Sequence, residues 1–381
     1  MKARPSLRRH RRGNIIVLTA FLLVVMVACI AFAVDVGYLY TVRSELQRSA
    51  DSAAIAAAWE LMDEDAPAGS ASASNLEADA VARAGQYAAL NPIGSDAPTL
   101  ASGDVVVGYM ANPSSPAATL VPASGSTMPN AVQVTVQRTT GQNGQVPLFF
   151  ARILGMENQS LTAHATAALL NSFGGFHAPH DGSNLGILPF ALDEQTWNDL
   201  LAGGGTDSYK YNSESKTVSA GVDGVKEVNL YPQGTGSPGN RGTVDIGGSN
   251  NSTADLARQI TDGISADDLE DLGKPFELGS DGTMTLNGDT GISAGVKDEL
   301  ASIIGQTRII PIFRSVTGPG NNAQYTIVKF AGIRVLAVKL TGSMSSKMLM
   351  IQPATVVAKG GIPATGTQSS YFLYSPVWLV R

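Results

Sequence analysis

An uncharged apolar run from Asn14 to Val34 limits what this chain can fold into more than any other feature of its sequence. The run has 21 residues and contains neither a charged residue nor a proline. As an α-helix with a rise of about 1.5 Å per residue it is roughly 30 Å long, which matches the hydrocarbon thickness of a bilayer. The sequence therefore predicts a single transmembrane helix at residues 14–34.

The charges that flank the run predict its orientation. Residues 1–13 carry six basic side chains, and the first acidic residue of the chain is Asp35. Basic residues are preferentially retained on the cytoplasmic side of a membrane. Residues 1–13 are therefore predicted to form a cytoplasmic basic tip, and the rest of the chain is predicted to lie outside the cytoplasmic (inner) membrane as a single-pass protein. The six basic residues are Lys2, Arg4, Arg8, Arg9, Arg11 and Arg12.

Three other interpretations of this segment involve export or processing. Ala31-Phe-Ala33 is compatible with a signal-peptidase site, Met26-Val-Ala-Cys29 with lipoprotein processing, and Arg11-Arg12 with twin-arginine export. The apolar run is longer than the core of about 7–15 residues that is usual in a cleaved signal. Helical pattern also continues beyond these sites, which favours an uncleaved anchor and leaves cleavage as the alternative.

Composition excludes several classes of protein. The first 13 residues hold six of the 26 basic residues, so the remainder carries 20 basic against 32 acidic side chains, a balance that argues against nucleic-acid binding. Cys29 is the only cysteine and lies within the apolar run, so the exported part is predicted to lack disulfides and thiolate metal sites. With 41 glycines, 19 prolines and only 15% charged residues, that part is predicted to be rich in turns and strands.

The first part outside the membrane, residues 35–172, is predicted to be a small α+β unit. A helix continues from the membrane to about Met62, because neither proline nor closely spaced glycine interrupts it. A second helix, a strand pair, a short helix at 146–154 and a strand at 160–170 follow. The first helix carries a seam of small and apolar residues, suited to packing on its own domain or on partner subunits: Leu39, Val42, Leu46, Ala50, Ala53, Ala57 and Leu61.

A linker is predicted at residues 173–184, followed by a β-rich, mainly antiparallel extracytoplasmic domain at residues 185–381. Glycine and proline punctuate the linker. In the domain, short helices are predicted at 193–201, 252–261 and 295–304, and four β segments at 308–313, 325–340, 347–359 and 371–380.

The N-terminal motifs resemble those of a known family. Ala31-Phe-Ala-Val-Asp-Val-Gly-Tyr-Leu-Tyr40 and the alanine-rich helix Ala50-Asp-Ser-Ala-Ala-Ile-Ala-Ala-Ala58 are similar to the Tad (tight adherence) TadE/TadG-like proteins of Flp-pilus assembly. Val146-Pro-Leu-Phe-Phe-Ala-Arg-Ile-Leu-Gly155 is similar to the end of the small exported unit of such proteins. The resemblance implies a TadG-like membrane protein that assembles or anchors a Flp-type pilus together with other Tad proteins.

Two departures from the family narrow this expectation. Pilin-like members have a glutamate five residues after the processing glycine, whereas this chain has Leu18 at that distance from Gly13. A stationary anchor is therefore expected rather than a processed pilin. Some relatives contain a von Willebrand A domain, whose Asp-x-Ser-x-Ser metal motif is incomplete in Asp181-Gly-Ser183-Asn-Leu185.

No catalytic, cofactor-binding or metal site is predicted, and the chain is not expected to be an enzyme. His177, His180 and Asp181 form the densest cluster of possible metal ligands, but they lie in a Pro/Gly loop. Gly234-Thr-Gly236-Ser-Pro-Gly239 matches G-x-G-x-x-G only as a string, and the Asp/Gly-rich segments 262–271 and 279–289 are interpreted as turns rather than calcium loops. The alternative function is a membrane-tethered binding module or adhesin.

Overall fold

The computed structural model describes residues 14–62, 66–68, 73–122, 128–231, 242–247, 252–289, 292–318, 322–364 and 370–380. The chain divides into two compact units. The first comprises the described residues up to Ala56 together with Val81–Val106 and Gln133–Thr166, and the second comprises Ala57–Ala80, Val107–Val132 and Ala167–Arg381. The predicted basic tip and the G-x-G-x-x-G string lie outside the described residues.

Six α-helices are present in the described parts of the chain. The predicted long helix is confirmed, because α1 runs without interruption for 46 residues. An 18-residue window of α1 has a mean hydropathy of 3.1, and the side chains within that window are exposed. This helix is therefore long and apolar enough to cross a membrane. The helices are α1 (Asn14–Trp59), α2 (Ala73–Ala89), α3 (Glu194–Leu201), α4 (Thr253–Asp262), α5 (Ala266–Asp271) and α6 (Lys297–Ser302).

The first unit is built on the second half of α1. Val42, Leu46, Ala50 and Ala53 are buried, whereas Tyr40 on another face of the same helix is exposed. Small alanine side chains let neighbouring backbone approach α1 closely. The β structure of this unit comes from the short pair Val146–Pro147 and Asn158–Gln159 and from parts of three strands that are successive neighbours in one sheet: Val105–Tyr109, Ala131–Arg138 and Leu161–Ala168.

The helix predicted at residues 146–154 is largely wrong. Val146 and Pro147 form a short strand, and only Ala151–Leu154 are helical, as one turn of 3₁₀-helix. Pro147 has no N–H, and the segment has too few residues before Gly155 to build several α-turns. Gly155 has φ of 84° and ends the turn, as predicted from its position.

The second unit contains an eight-stranded sheet in which five strands close into a ring. Ala323–Lys339 pairs with Met284–Asp289 on one side and with Thr307–Thr317 on the other. Gly242–Val244 and Phe190–Asp193 complete the ring. Alternation of buried and exposed side chains along Met284–Asp289 places Met284 and Leu286 in the core.

The mainly antiparallel character predicted for the C-terminal region is confirmed. Its parallel pairs are few, and one of them, Ile312 with Leu192, joins strands far apart in sequence.

Three helices begin at residues of the types that N-caps prefer. The side chains of Asp193, Ser252 and Ser265 accept backbone hydrogen bonds at the starts of α3, α4 and α5. The remaining strands are Val121–Pro122, Phe173–Phe176, Tyr209–Asn212, Thr217–Ala220, Val228–Tyr231, Met348–Pro353, Val356–Val357, Gly361–Pro363, Ser370–Tyr371, Leu373–Tyr374 and Trp378–Val380.

The linker expected at residues 173–184 needs correction at its beginning. Phe173–Phe176 is a strand that pairs with Gly361–Pro363, and both phenylalanine rings are buried. The ring of Phe176 packs edge-on against Phe330 with a centroid distance of 5.2 Å. Burial of two aromatic side chains outweighs the turn preference of Gly174 and Gly175, so the irregular segment starts only after Phe176.

Candidate functional site

Asp35 organises the point where the apolar part of α1 ends. Its carboxylate accepts hydrogen bonds from three consecutive backbone N–H groups: Phe149 at 2.8 Å, Phe150 at 3.0 Å and Ala151 at 2.7 Å. These N–H groups stand at the beginning of the 3₁₀ turn, where they have no partner within the turn itself. The side chain of Asp35 is only 4% exposed, so nearly all of its hydrogen-bonding capacity is used inside the protein.

The electrostatics of this contact favour the ionised carboxylate. Burial opposes ionisation, but the hydrogen bonds from Ala151, Phe149 and Phe150 outweigh it and lower the pKa of Asp35 below its ordinary value. The positive charge of Arg152 acts in the same direction. The ionised carboxylate of Asp35 therefore links α1 to the turn at residues 151–154. Its described contacts include no group that could take part in a reaction.

The neighbours of Asp35 in the Asp-x-Gly-Tyr sequence have different roles. The ring of Tyr38 packs edge-on against Phe149, with centroids 5.3 Å apart, and so reinforces the same contact. Gly37 is exposed, and a Cβ at this position would meet no atom within 4 Å. Nothing in the structure explains why position 37 is glycine.

The alanine seam of α1 is buried within the protein's own fold. Ser49 donates to the carbonyl of Ala88 at the end of α2, at 3.2 Å, and Gln47 donates to the carbonyl of His164 at 3.0 Å. The carboxylate of Glu45 accepts from the backbone N–H of Gly94 at 2.7 Å. Of the two uses that the sequence left open, packing on its own domain is the one observed, so the seam is not a free surface for a partner helix.

The predicted cluster of possible metal ligands brings two histidine rings together, while its carboxylate is paired with a lysine. The rings of His177 and His180 are 5.5 Å apart, and Asp181 is occupied by an ion pair in which Lys359 Nζ lies 2.6 Å from its carboxylate. The hydrogen bonds from Lys359 and Ser183 lower the pKa of Asp181. Within the described residues, no group of three or more His, Cys, Asp or Glu side chains is placed to hold a metal ion.

The Asp/Gly-rich segments are used structurally. Residues 266–271 form α5, whose capping box joins Ser265 and Asp268, and Asp268 also pairs with Arg258 at 3.0 Å. This helix was not predicted, because its acidic sequence is typical of a turn. In the other segment, Asp281 accepts from the backbone N–H and the hydroxyl of Thr283, as in an Asx turn, so residues 279–283 agree with the interpretation as a turn. Residues 284–289 do not agree with it, because they form a strand.

Helix α1 and the Asp35 contact define a class of protein: one whose N-terminal helix is a candidate membrane span, joined at the end of the span to a small α+β unit and followed by a β-rich region. Residues 13–60 match the family model described as "Putative Flp pilus-assembly TadE/G-like". Residues 56–167 match the model described as "Putative Tad-like Flp pilus-assembly". Residues 13–167 therefore match models of TadE/TadG-like Flp pilus-assembly proteins, as the N-terminal motifs predict. No curated protein and no solved structure matches the chain.

Proposed function

We propose that this protein is a membrane-anchored structural component of a Flp-type (Tad) pilus or of a related secretion system, without catalytic activity. The single observation that carries the proposal is the continuity of α1. One helix presents apolar side chains outward along its first half and forms the buried core of a folded unit along its second half. Such a helix ties the folded unit rigidly to the membrane, as a stationary assembly component requires.

The proposed topology has residues 1–13 in the cytoplasm, residues 14–34 across the inner membrane and the rest outside it. The six basic residues before the span support this orientation. The proposed divisions beyond the span are a TadE/TadG-like unit at 35–172 and a β-rich domain from 185 onward.

Topology can be tested with single cysteines on a Cys29→Ser background. Ser6→Cys reports the basic tip, and Ser213→Cys reports an exposed position of the β-rich region. In intact spheroplasts, a membrane-impermeant maleimide should label Ser213→Cys and leave Ser6→Cys unlabelled until the cells are lysed. The reverse pattern would contradict the orientation, and release of the protein into the medium would favour the cleaved form.

The proposed role predicts partners among the other Flp-pilus assembly proteins. The full chain with a C-terminal tag, extracted in mild detergent after cross-linking in cells, should retain such proteins. A matched control is a tagged protein of the same membrane with an unrelated span. Absence of these proteins from the eluate would contradict the proposal, whereas exposure of residues 185–381 to protease on whole cells would favour the alternative of a tethered binding module or adhesin.

A further inference from the structure

Five large apolar side chains are exposed within eight residues of the loop that Asp35 holds. They are Phe149, Phe150, Ile153, Leu154 and Met156, and Ile153 and Leu154 are 81% and 84% exposed. Single exposed apolar residues are ordinary, but a cluster of this size on one short segment is typical of an interaction surface. We call residues 148–156 the apolar loop.

The apolar loop is fixed at the level where the apolar part of α1 ends. Asp35, which binds its backbone, follows directly after Val34, the last residue of the uncharged run. Tyr38, which packs on Phe149, is three residues further, or about 4.5 Å along the helix axis. The loop is therefore held next to the end of the apolar run, in which Phe32 and Val34 are exposed.

We propose that the apolar loop is a second membrane contact, which enters the outer leaflet beside the point where α1 leaves the bilayer. The inference rests on the proposed transmembrane position of α1. Its apolar surface continues the lipid-facing surface of that helix, so the bilayer covers both without a break. Insertion of a few apolar and aromatic side chains at the acyl–headgroup boundary is a recognised mode of membrane attachment.

The charge of the loop fits a lipid surface. Arg152 is its only charged residue, and its side chain is exposed, with Nε donating to the carbonyl of Leu148 at 3.2 Å. The remaining guanidinium donors face lipid phosphates at this depth, while the carbon chain of the arginine lies among apolar groups. Two contacts on one rigid unit prevent it from tilting on the membrane, which a single helix does not achieve alone.

Lipid contact can be measured with environment-sensitive probes on the full chain. Single cysteines are introduced on a Cys29→Ser background, labelled with nitrobenzoxadiazole, and the protein is reconstituted in vesicles of phosphatidylcholine and phosphatidylglycerol. Ile153→Cys and, independently, Leu154→Cys report the apolar loop. Both side chains are largely exposed, so neither substitution disturbs the core.

Two further sites serve as matched controls. Phe32→Cys reports the span itself. Leu90→Cys reports an exposed apolar position far from the bilayer, because its neighbour Asn91 donates to Ser52, which is 17 residues beyond Asp35 or about 25 Å along α1.

Vesicles that contain lipids brominated near the headgroup should quench the probe at 153 and at 154 at least twofold more than the probe at 90. Absence of quenching at 153 and 154, with the probe at 32 quenched, would overturn the lipid contact and leave the anchor intact. A blue-shifted but unquenched probe at 153 would also overturn it, because protein rather than lipid would then cover the loop. An unquenched probe at 32 would contradict the span itself and the loop contact with it.

Discussion

The carboxylate of Asp35 accepts a hydrogen bond of 2.7 Å from the backbone N–H of Ala151, 116 positions away in the sequence. Phe149 and Phe150 donate to the same carboxylate. This contact joins the residue of α1 that directly follows the apolar run to the apolar loop. It gives a physical role to the acidic residue that stands at the end of the apolar run in this family-like sequence.

Removal of the Asp35 charge should release the apolar loop. In Asp35→Asn, one carboxylate oxygen is replaced by a donor, so the amide groups of Phe149, Phe150 and Ala151 lose acceptors. We expect their hydrogen exchange to accelerate at least tenfold, measured in detergent micelles by mass spectrometry or NMR. Asp51→Asn, at a half-exposed position of the same helix, is the control and should leave these amides protected.

The same contact has a defined pH dependence. The pKa of Asp35 is lowered in the folded protein, so the stabilisation is fully present above the ordinary aspartate value of about 3.8 and is lost as the pH falls through the lower folded value. Protection of the Ala151 amide, corrected for intrinsic exchange, should therefore be constant from pH 7 to pH 5. Loss of protection already near pH 6 would be inconsistent with a lowered pKa.

A larger side chain in the alanine seam should destabilise the first unit. Ala53 is fully buried on α1, and Ala53→Leu overpacks this site, with an expected loss of about 1–3 kcal/mol in the free energy of unfolding. Ala82→Leu on the exposed face of α2 is the matched control and should change the value by no more than about 0.5 kcal/mol. Urea denaturation in micelles compares the two; equal stability of both variants would show that the seam is not packed.

Two glycines should respond in opposite ways to alanine. A Cβ at Gly332 would clash with the carbonyl oxygens of Ala354 and Phe372, so Gly332→Ala should lower the free energy of unfolding by about 1–3 kcal/mol or more. Gly37→Ala meets nothing within 4 Å and should stabilise α1 by up to about 1 kcal/mol. Thermal unfolding of the purified variants gives the sign of each change, and a destabilised Gly37→Ala would reveal a contact at this position.

The ionised form of Asp245 should lower the stability of the second unit at neutral pH. Burial, and to a lesser degree the charge of Asp255, raise its pKa to about 6. The cost is absent below the unfolded value of about 3.8, grows as the pH rises towards 6 and is complete above it. Asp245→Asn should therefore stabilise the protein at pH 7.5 by on the order of 1 kcal/mol after allowance for solvent screening, and by less at pH 5. Asp199→Asn at an exposed site is the control, and a gain that does not depend on pH would contradict the assignment.

Local sequence signals predicted the parts of the fold that depend on local interactions. The length of α1 follows from an uninterrupted helical pattern, and α3 and α4 begin within one residue of their predicted starts. The ring of strands could not be predicted in the same way. Its closure depends on the parallel pairing of Leu192 with Ile312, for which neither segment carries a local signal.

The Asp35 contact was missed for a similar reason. An acid directly after an apolar run needs a partner if it is buried, but the partners are backbone N–H groups, which every non-proline residue has. A usable signal existed in the glycine-terminated segment 148–155, whose adjacent phenylalanines are poorly suited to solvent. A helix predicted for that segment gives no reason to relate it to Asp35.

The number of Flp-type pili per cell shows whether this protein, and the Asp35 contact within it, is needed for pilus assembly. The gene is deleted, and the strain is complemented with the wild-type chain, with Asp35→Asn or with Asp51→Asn, each verified in the membrane fraction. We expect pili to be lost on deletion, restored by the wild type and by Asp51→Asn, and reduced severalfold with Asp35→Asn. Wild-type numbers of pili in the deletion strain would contradict the claim that this protein is a component of pilus assembly.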